Sequence, residues 1–240
     1  MTKVAGISVR GSWPGAVTLR SGWAKAVARP LNDGNPAATL RLERGSSEFV
    51  RSCADSLLEL GAPAVWSAPV NTQGRRLWER AGFELERQLL LMERSLARPI
   101  AEPSIESRKG TVGEALAVDF EAFDADWRIG RLGLEDALSA TVRSRLMIVG
   151  PDEIDGFVIV GVTGSAGYLQ RIAVRPSSAG SGAGRALVRS AMLWARLAGA
   201  RQMLLNTQLD NDRAARLYRS EGFVELSERL SVLLTTSDGS

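Results

Sequence analysis

The sequence contains no histidine and a single cysteine, Cys53, among its 240 residues. Without histidine, no catalytic triad built on an imidazole and no histidine-ligated metal site can form. With one thiol, an internal disulfide is excluded and a zinc site is not expected. We therefore expect no metal, and any acid–base chemistry must use carboxylates, tyrosine, lysine, a terminus or ordered water.

Long apolar stretches are also missing. No apolar run approaches the roughly 20 residues that span a bilayer. Near the start of the chain, Lys3, Arg10, Arg20 and Lys25 interrupt every short apolar stretch, so no secretory leader is expected. The sequence therefore predicts a cytoplasmic protein without a membrane partner.

The charge balance gives little support for binding nucleic acid. The net charge is only +3, although the pI is near 9.5. The positive excess lies in the first hundred residues, which carry 14 Lys and Arg against 9 Asp and Glu. It consists of scattered arginines rather than a basic run interleaved with aromatics, so nucleic-acid binding is only a minor alternative and no such partner is predicted.

A short motif recurs along the chain at an offset of 140 residues. Residues 71–83 and 211–223 share an initial Asn, an Arg-Leu followed by an aromatic, and a closing Gly-Phe. Each copy follows a short apolar segment and precedes an apolar run, which favours duplication. Two prolines within the polar stretch 97–104 stop regular structure, so we predict one domain over 1–98 and a second over 104–240.

The predicted fold class is α/β with a mixed sheet, in two related units of which the first is truncated. The first domain is read as strands at 16–20, 23–28 and 38–43, followed at once by a helix at 47–60. The second is read as helix 112–123, helix 134–141, strands 145–149, 157–162 and 168–174, helix 184–198, strand 203–207, helix 212–220 and a final strand pair.

A glycine-rich loop is the most informative segment. A predicted strand runs into a loop with Gly180, Gly182 and Gly184, which opens a long helix. Glycines let the backbone approach an anion closely, and the free amides of a first helical turn bind anions. A P-loop would need Gly-Lys-Ser/Thr, and a dinucleotide fold would need a βαβ unit and a downstream acid. We expect a phosphate-bearing ligand, to which Arg175 and Arg185 can add charge; a flexible connector is the other interpretation.

The strand ending at Val174, Arg175-Pro176, the glycine loop and the motif from Asn211 through Tyr218 to Gly222-Phe223 resemble the core motifs of the GNAT superfamily of N-acetyltransferases. The resemblance covers about residues 104–236. It implies acyl transfer from acetyl-CoA, as co-substrate, to a small-molecule or protein amine that attacks the thioester directly. A catalytically weak CoA-binding module with a regulatory or scaffolding role is the alternative.

The resemblance also implies roles for individual residues. Backbone groups that would pair with the pantetheine arm belong to Ile172, Ala173 and Val174. Backbone amides that would hold the pyrophosphate belong to Ala179, Gly180, Ser181, Gly182, Ala183, Gly184 and Arg185. The strands at 168–174 and 203–207 would separate to admit the thioester. Asn211 would contact the cofactor arm, and Tyr218 would protonate the leaving thiolate.

The chain departs from the family pattern in both domains. Ala179 stands where the family's loop usually begins with Arg or Gln, which lowers the expected affinity without removing the backbone cradle. The first domain has one glycine within 42–47, no room for a loop, and Trp78 in place of the tyrosine. We therefore predict that it is a structural copy without a cofactor site, in a tandem arrangement that resembles actinobacterial GNAT proteins.

Three assignments keep a purely structural alternative. Asp124 and Asp126 belong to an acidic, aromatic stretch where the family usually forms its acceptor pocket, but a solvated helix end has the same composition. Tyr218 is either a catalytic acid or a packing aromatic, and Trp78 at the matched position supports packing. Cys53 is predicted to be a core residue, because nothing near it in the sequence would activate its thiolate.

Overall fold

The chain forms two compact units. The computed structural model describes residues 2–4, 6–125, 127–150 and 153–237. Unit 1 comprises Met1–Leu89 together with Glu228–Ser240, and unit 2 comprises Leu90–Ser227. Both boundaries lie inside long strands, so these units differ from the linear division at residues 98–104.

Unit 1 is mainly a sheet. Its described elements are β1 (Thr2–Val4), β2 (Ile7–Arg10), β3 (Val17–Ser21), β4 (Ala24–Asn32), β5 (Asn35–Arg44), α1 (Ser47–Glu59), β6 (Ala64–Ser67), α2 (Thr72–Arg80), the start of β7 (Glu84–Ser95) and the end of β13 (Val224–Thr236). The strand order is β1-β2-β3-β4-β5-β6-β13. The first five strands pair antiparallel with their neighbours, β5 and β6 are parallel, and β13 returns antiparallel to β6.

Strand alternation builds the core of unit 1. In β4, Ala24, Ala26 and Ala28 are buried while the residues between them are half-exposed, because successive side chains of a strand point to opposite faces. The apolar side of α1 covers the buried face of the sheet with Phe49 and Leu57. Unit 1 therefore has one continuous apolar core.

Cys53 lies in the middle of α1 with no exposed surface. Burial raises the pKa of its thiol to about 12. Since the thiolate is the reactive form, this cysteine is inert at neutral pH, and the prediction of a core residue is confirmed.

Unit 2 has helices on both faces of its sheet. Its described elements are the end of β7, β8 (Arg108–Lys109), α3 (Val112–Ala122), α4 (Gly130–Ser139), β9 (Arg143–Val149), β10 (Gly156–Thr163), β11 (Ala166–Val174), the 3₁₀ turn η1 (Pro176–Ser178), α5 (Ala183–Leu197), β12 (Gln202–Gln208), α6 (Asp212–Ser220) and the start of β13. The strand order is β7-β12-β11-β10-β9-β8. No helix in the described part of the chain is long and apolar enough to cross a bilayer.

Strand β10 is central in unit 2 and is buried over nearly its whole length. Its alternate residues enter two different cores. Val158 and Val160 pack with Leu187 of α5, whereas Phe157 and Ile159 pack with α3 and α4. A strand covered by helices on both faces is apolar throughout, which explains why this segment lacks polar alternation.

Helix α3 begins with a capping box. The Thr111 hydroxyl accepts from the Glu114 amide, and the Glu114 carboxylate accepts from the Thr111 amide at 2.7 Å. Hydrogen bonding to Thr111 holds the pKa of Glu114 below its usual value. Arg108 adds an ion pair to Glu114 at 3.1 Å, so the start of α3 is fixed independently of its end.

Most predicted elements agree with the structure to within a few residues, but the final strand pair is wrong. Residues 224–236 form one strand of 13 residues, β13, because they contain neither glycine nor proline to make a turn. Helix α4 begins at Gly130 and not at Leu134. Strands β1 and β2 were not predicted.

Candidate active site

The parallel strands β11 and β12 pair only along their first halves. Their ladder ends at Leu169 and Leu205, although the strands continue to Val174 and Gln208. The other edge of β11 stays paired with β10 as far as Val174. The separation predicted for these strands is therefore confirmed, and it leaves a free strand edge that an extended ligand can join by backbone hydrogen bonds.

The glycine loop connects η1 to α5. Gly180 and Gly182 have φ angles of +88° and +94°, which favour glycine. Within the described residues, four amides here have no hydrogen-bond acceptor: those of Gly180, Gly182, Gly184 and Arg185. Free amides at the positive end of a helix dipole fit a pyrophosphate.

Not every predicted cradle amide is available in this loop. The amide of Ala179 donates to the carbonyl of Pro176 at 3.1 Å, and that of Ser181 to the carbonyl of Ser178 at 3.3 Å. The amide of Ala183 donates to the Ser181 hydroxyl at 3.3 Å. These bonds hold the loop's shape, so the cradle reduces to four of the seven predicted amides.

The two arginines that flank the loop each form an ion pair with a carboxylate. Arg175 pairs with Glu121 of α3. Arg185 pairs with Glu221 at 3.0 Å, and Glu221 is nearly buried. Glu221 also accepts two hydrogen bonds from Arg189, at 2.8 and 3.0 Å, so Arg185 shares this single carboxylate with a second guanidinium group and positive charge remains beside the loop. The contribution of Arg175 and Arg185 to phosphate binding stays a prediction.

Tyr218 lies in α6 with only 4% of its surface exposed. Its ring meets that of Phe223 edge-on, with centroids 5.9 Å apart. Burial raises the pKa of its hydroxyl above the usual value of 10, so the phenol stays protonated at neutral pH. The hydroxyl has no hydrogen-bond partner within the described chain and does not belong to its fully buried unpaired polar atoms. The small exposed part of Tyr218 therefore includes its hydroxyl.

Asn211 has a structural role in the fold. Its side-chain oxygen accepts from the Ala214 amide at 3.1 Å and caps α6. Asn71 caps α2 in the same way through Gly74 at 2.9 Å. The recurrence of asparagine in the motif is thus explained by capping, and any contact with a cofactor uses the remaining amide group.

Of the two predicted acceptor-side acids, Asp124 and Asp126, the structure describes only Asp124. Asp124 is exposed, and its carbonyl accepts from the amides of Trp127 and Arg128 at 2.9 and 3.1 Å. Asp126 lies outside the described residues. The structure therefore places Asp124 in a solvated turn after α3.

Comparison with protein families gives one match. Residues 119–223 match the acetyltransferase (GNAT) family. A search of curated protein sequences finds no significant match. The matched segment contains the separated strands, the glycine loop, Asn211 and Tyr218, so the features described above lie within the part of the chain that is similar to this family.

Several solved structures with a similar fold are described as acetyltransferases or GNAT proteins. A GCN5-related N-acetyltransferase from Sphaerobacter thermophilus aligns with a TM-score of 0.57 and 19% identity, over 93% of this chain and 81% of that one. An acetyltransferase described as putative, from Novosphingobium aromaticivorans, aligns with a TM-score of 0.59 and 18% identity, over 83% and 84%. A tandem GNAT protein from the clavulanic acid biosynthesis pathway aligns with a TM-score of 0.62 and 14% identity, over 98% and 85%.

Family match and fold together confirm the predicted class of enzyme. GNAT acetyltransferases move an acetyl group from acetyl-CoA to an amine. The mixed α/β fold is likewise confirmed, and it has a tandem GNAT protein among its structural neighbours.

The sequence analysis did not predict a buried ion pair in unit 2. Asp119 is 1% exposed, and its carboxylate accepts from Arg171 of β11 at 2.7 Å. Arg171 also donates to the Trp127 carbonyl at 2.7 Å. The two residues are 52 positions apart, so no local pattern pairs them. Helix α3 also carries Glu114 and Glu121, so the sequence does not single out Asp119.

Proposed function

We propose that unit 2 catalyses transfer of an acetyl group from acetyl-CoA to a primary amine by direct attack of the amine on the thioester. The observation that carries this proposal is a single arrangement in β11 and the residues after it. The strand loses its partner β12 after Leu169 and then leads into a loop with free amides at the start of α5. An extended arm and a pyrophosphate need these two features in this order.

Binding is assigned to backbone groups. The free edge of β11 at Ile172, Ala173 and Val174 pairs with the pantetheine arm as an added strand would. The free amides from Gly180 to Arg185 hold the pyrophosphate. Because the cradle is made of backbone, Ala179 at the loop's start reduces affinity without abolishing binding.

Tyr218 supports the departure of the thiol. The amine nitrogen bonds to the carbonyl carbon of the thioester, the carbon–sulfur bond breaks, and the thiolate must take up a proton. The Tyr218 hydroxyl is protonated at neutral pH and has no competing partner in the described chain. It donates to the sulfur as negative charge develops there.

The amine must lose a proton on the opposite side of the reaction. Asp124 and Asp126 are the proposed acceptor-side acids, acting directly or through water. Support comes from Asp124, an exposed carboxylate at the end of α3. Buried Asp119 is excluded as a base, because its carboxylate is held by Arg171.

Unit 1 is proposed to be a trimmed GNAT copy without a cofactor site. Both units place a helix between two parallel strands and cap the next helix with asparagine. Both also set an aromatic edge-on to the phenylalanine that closes the motif: Trp78 to Phe83 and Tyr218 to Phe223. The connection between the first parallel strand and its helix is long only in unit 2, where it forms the glycine loop between β11 and α5.

The function can be tested by measuring thiol release from acetyl-CoA with a panel of primary amines: an arylalkylamine, an aminosugar, a polyamine and a peptide with a free N-terminus. Wild type is expected to release CoA faster with at least one amine than without. Gly182→Asp should abolish this increase, because a carboxylate enters the pyrophosphate cradle. Saturable binding of acetyl-CoA without amine-dependent release of CoA would contradict the proposed acetyltransferase activity and would support the alternative of a CoA-binding module.

A further inference from the structure

Arg171 connects one strand to three points of the segment that joins α3 to α4. Its guanidinium bonds Asp119 in α3 and the carbonyl of Trp127 in the following turn, both at 2.7 Å. It also lies over the ring of Phe123, 3.7 Å from the centroid. Asp119 in turn accepts from the amide of Ile129 at 3.3 Å. Arg171 thus joins β11 to the end of α3 and to the turn before α4, whereas Arg128, which bonds the carbonyls of Phe120 and Phe123, acts only within this segment.

A bulge in β11 aims Arg171 at this segment. The register with β10 shifts so that Val160 opposes Leu169 while Ile159 opposes Arg171, which leaves Gln170 as an extra residue. Leu169 consequently faces the core beneath α5. Without the bulge Arg171 would face the same core, since residues two apart share a face. The bulge instead turns Arg171 towards α3.

The strand that carries Arg171 is also the proposed cofactor strand. The next three residues, Ile172, Ala173 and Val174, are those assigned to the pantetheine arm, and they lie where β11 has lost β12. The segment held by the guanidinium contains Asp124, the proposed acceptor-side acid. Arg171 therefore connects the proposed cofactor-binding strand directly to the segment that carries the proposed acceptor-side acid.

We propose that Arg171 is a positioning residue for the amine: it holds the acceptor-side turn in register with the cofactor strand. This inference rests on the function proposed above. Arg171 touches neither substrate, so its loss should impair use of the amine and leave acetyl-CoA affinity unchanged. Arginine is required because its planar fork makes the two bonds and the ring contact together, which a lysine cannot.

Three variants separate positioning from stability. Arg171→Met keeps an unbranched apolar stem without the guanidinium group and leaves Asp119 buried without its partner, which threatens folding. The double variant Arg171→Met with Asp119→Leu removes both charges, and such replacements are often neutral or stabilising. Arg171→Lys restores a charge for Asp119 without the fork. Arg108→Met is the matched control, because it breaks the ion pair at the other end of α3.

Kinetics use the most active amine of the panel, and acetyl-CoA affinity is measured by calorimetry. In the double variant we expect kcat/KM for the amine to fall by about 10- to 100-fold, mainly through KM, with acetyl-CoA affinity unchanged. Arg171→Lys should recover part of the loss, and Arg108→Met should match wild type. A stable double variant with a normal KM for the amine overturns this inference alone. A wild type that acetylates no amine overturns the proposed function and this inference together.

Discussion

The two units differ most where a strand passes into the helix that follows it. In unit 1, β5 ends at Arg44 and α1 begins at Ser47, so only two residues intervene. In unit 2, eight residues separate β11 from α5. The frame of strand, helix and parallel strand is shared, but only the longer connection has room to present amides to an anion.

Glycine plays a different part in each connection. A Cβ at Gly45 would lie 2.5 Å from the ring of Phe49, so this glycine makes room for a core side chain. A Cβ at Gly180 would meet nothing within 4 Å. Gly45 is therefore required for core packing, whereas packing does not explain Gly180. This difference is expected between a connection that only joins two elements and a loop that binds a ligand.

The ion pairs of the two units should differ most in stability measurements. Asp119→Ala in unit 2 leaves Arg171 without its carboxylate in a buried site, and we expect a loss of about 3 kcal/mol in the free energy of unfolding. Glu79→Ala in unit 1 breaks the exposed Arg75–Glu79 pair and should cost between about 0 and 1 kcal/mol. Urea titrations measure both, and equal losses would contradict the assignment of the buried pair.

The matched aromatics should separate catalysis from packing. Tyr218→Phe keeps the ring and removes the hydroxyl, so we expect kcat to fall by about 100-fold with acetyl-CoA affinity retained. Trp78→Phe removes ring volume from the core of unit 1 and should lower the melting temperature while kcat stays at the wild-type value. Steady-state kinetics and thermal melts on both variants are sufficient, and an unchanged kcat in Tyr218→Phe would reduce that residue to packing.

The two asparagine caps offer a smaller and more symmetrical contrast. Asn71→Ala and Asn211→Ala should each cost about 1 kcal/mol of stability, because each removes the acceptor for an amide in the first helical turn. Only Asn211→Ala should also weaken acetyl-CoA binding if its side-chain amide reaches the cofactor arm. Calorimetry on the pair decides this: equal affinities would leave Asn211 as a cap alone.

Alkaline pH should affect the two units through different groups. Burial raises the pKa of the Cys53 thiol from about 9 to about 12 and raises the pKa of the Tyr218 hydroxyl above 10. The unfolded chain therefore loses these protons first, and stability falls as pH rises above about 9. Cys53→Ala should flatten this fall when urea midpoints are compared between pH 8 and 11. An equally steep fall in the variant would show that Cys53 does not cause it.

Local sequence patterns predicted much of this molecule. Glycine spacing identified the loop, and enrichment in β-branched residues identified β10 as a strand. The repeated motif at 71–83 and 211–223 identified two related segments, and its second copy contains the predicted helix at 212–220. Each of these features depends on residues close together in the chain, which is why period and spacing reveal them.

Features that depend on distant residues could not be predicted in the same way. The pairing of Asp119 with Arg171 requires the bulge at Gln170, and a bulge has no marker here such as glycine. The ion pairs that Glu221 makes with both Arg185 and Arg189 likewise join residues far apart in the chain. Strand β13 has 13 residues, which is longer than the usual strand of 3–10 residues, and the sequence analysis predicts a strand pair there.

The central claim is that unit 2 alone holds the acetyl-CoA site, and calorimetric titration of acetyl-CoA tests it most directly. Gly22→Asp is the matched control for Gly182→Asp, because Gly22 also has a positive φ and open space around it but lies in a turn of unit 1. We predict one site per chain in wild type and in Gly22→Asp, with affinity at least ~100-fold weaker in Gly182→Asp because of the added negative charge. Two sites per chain, or unchanged binding in Gly182→Asp, would contradict this account.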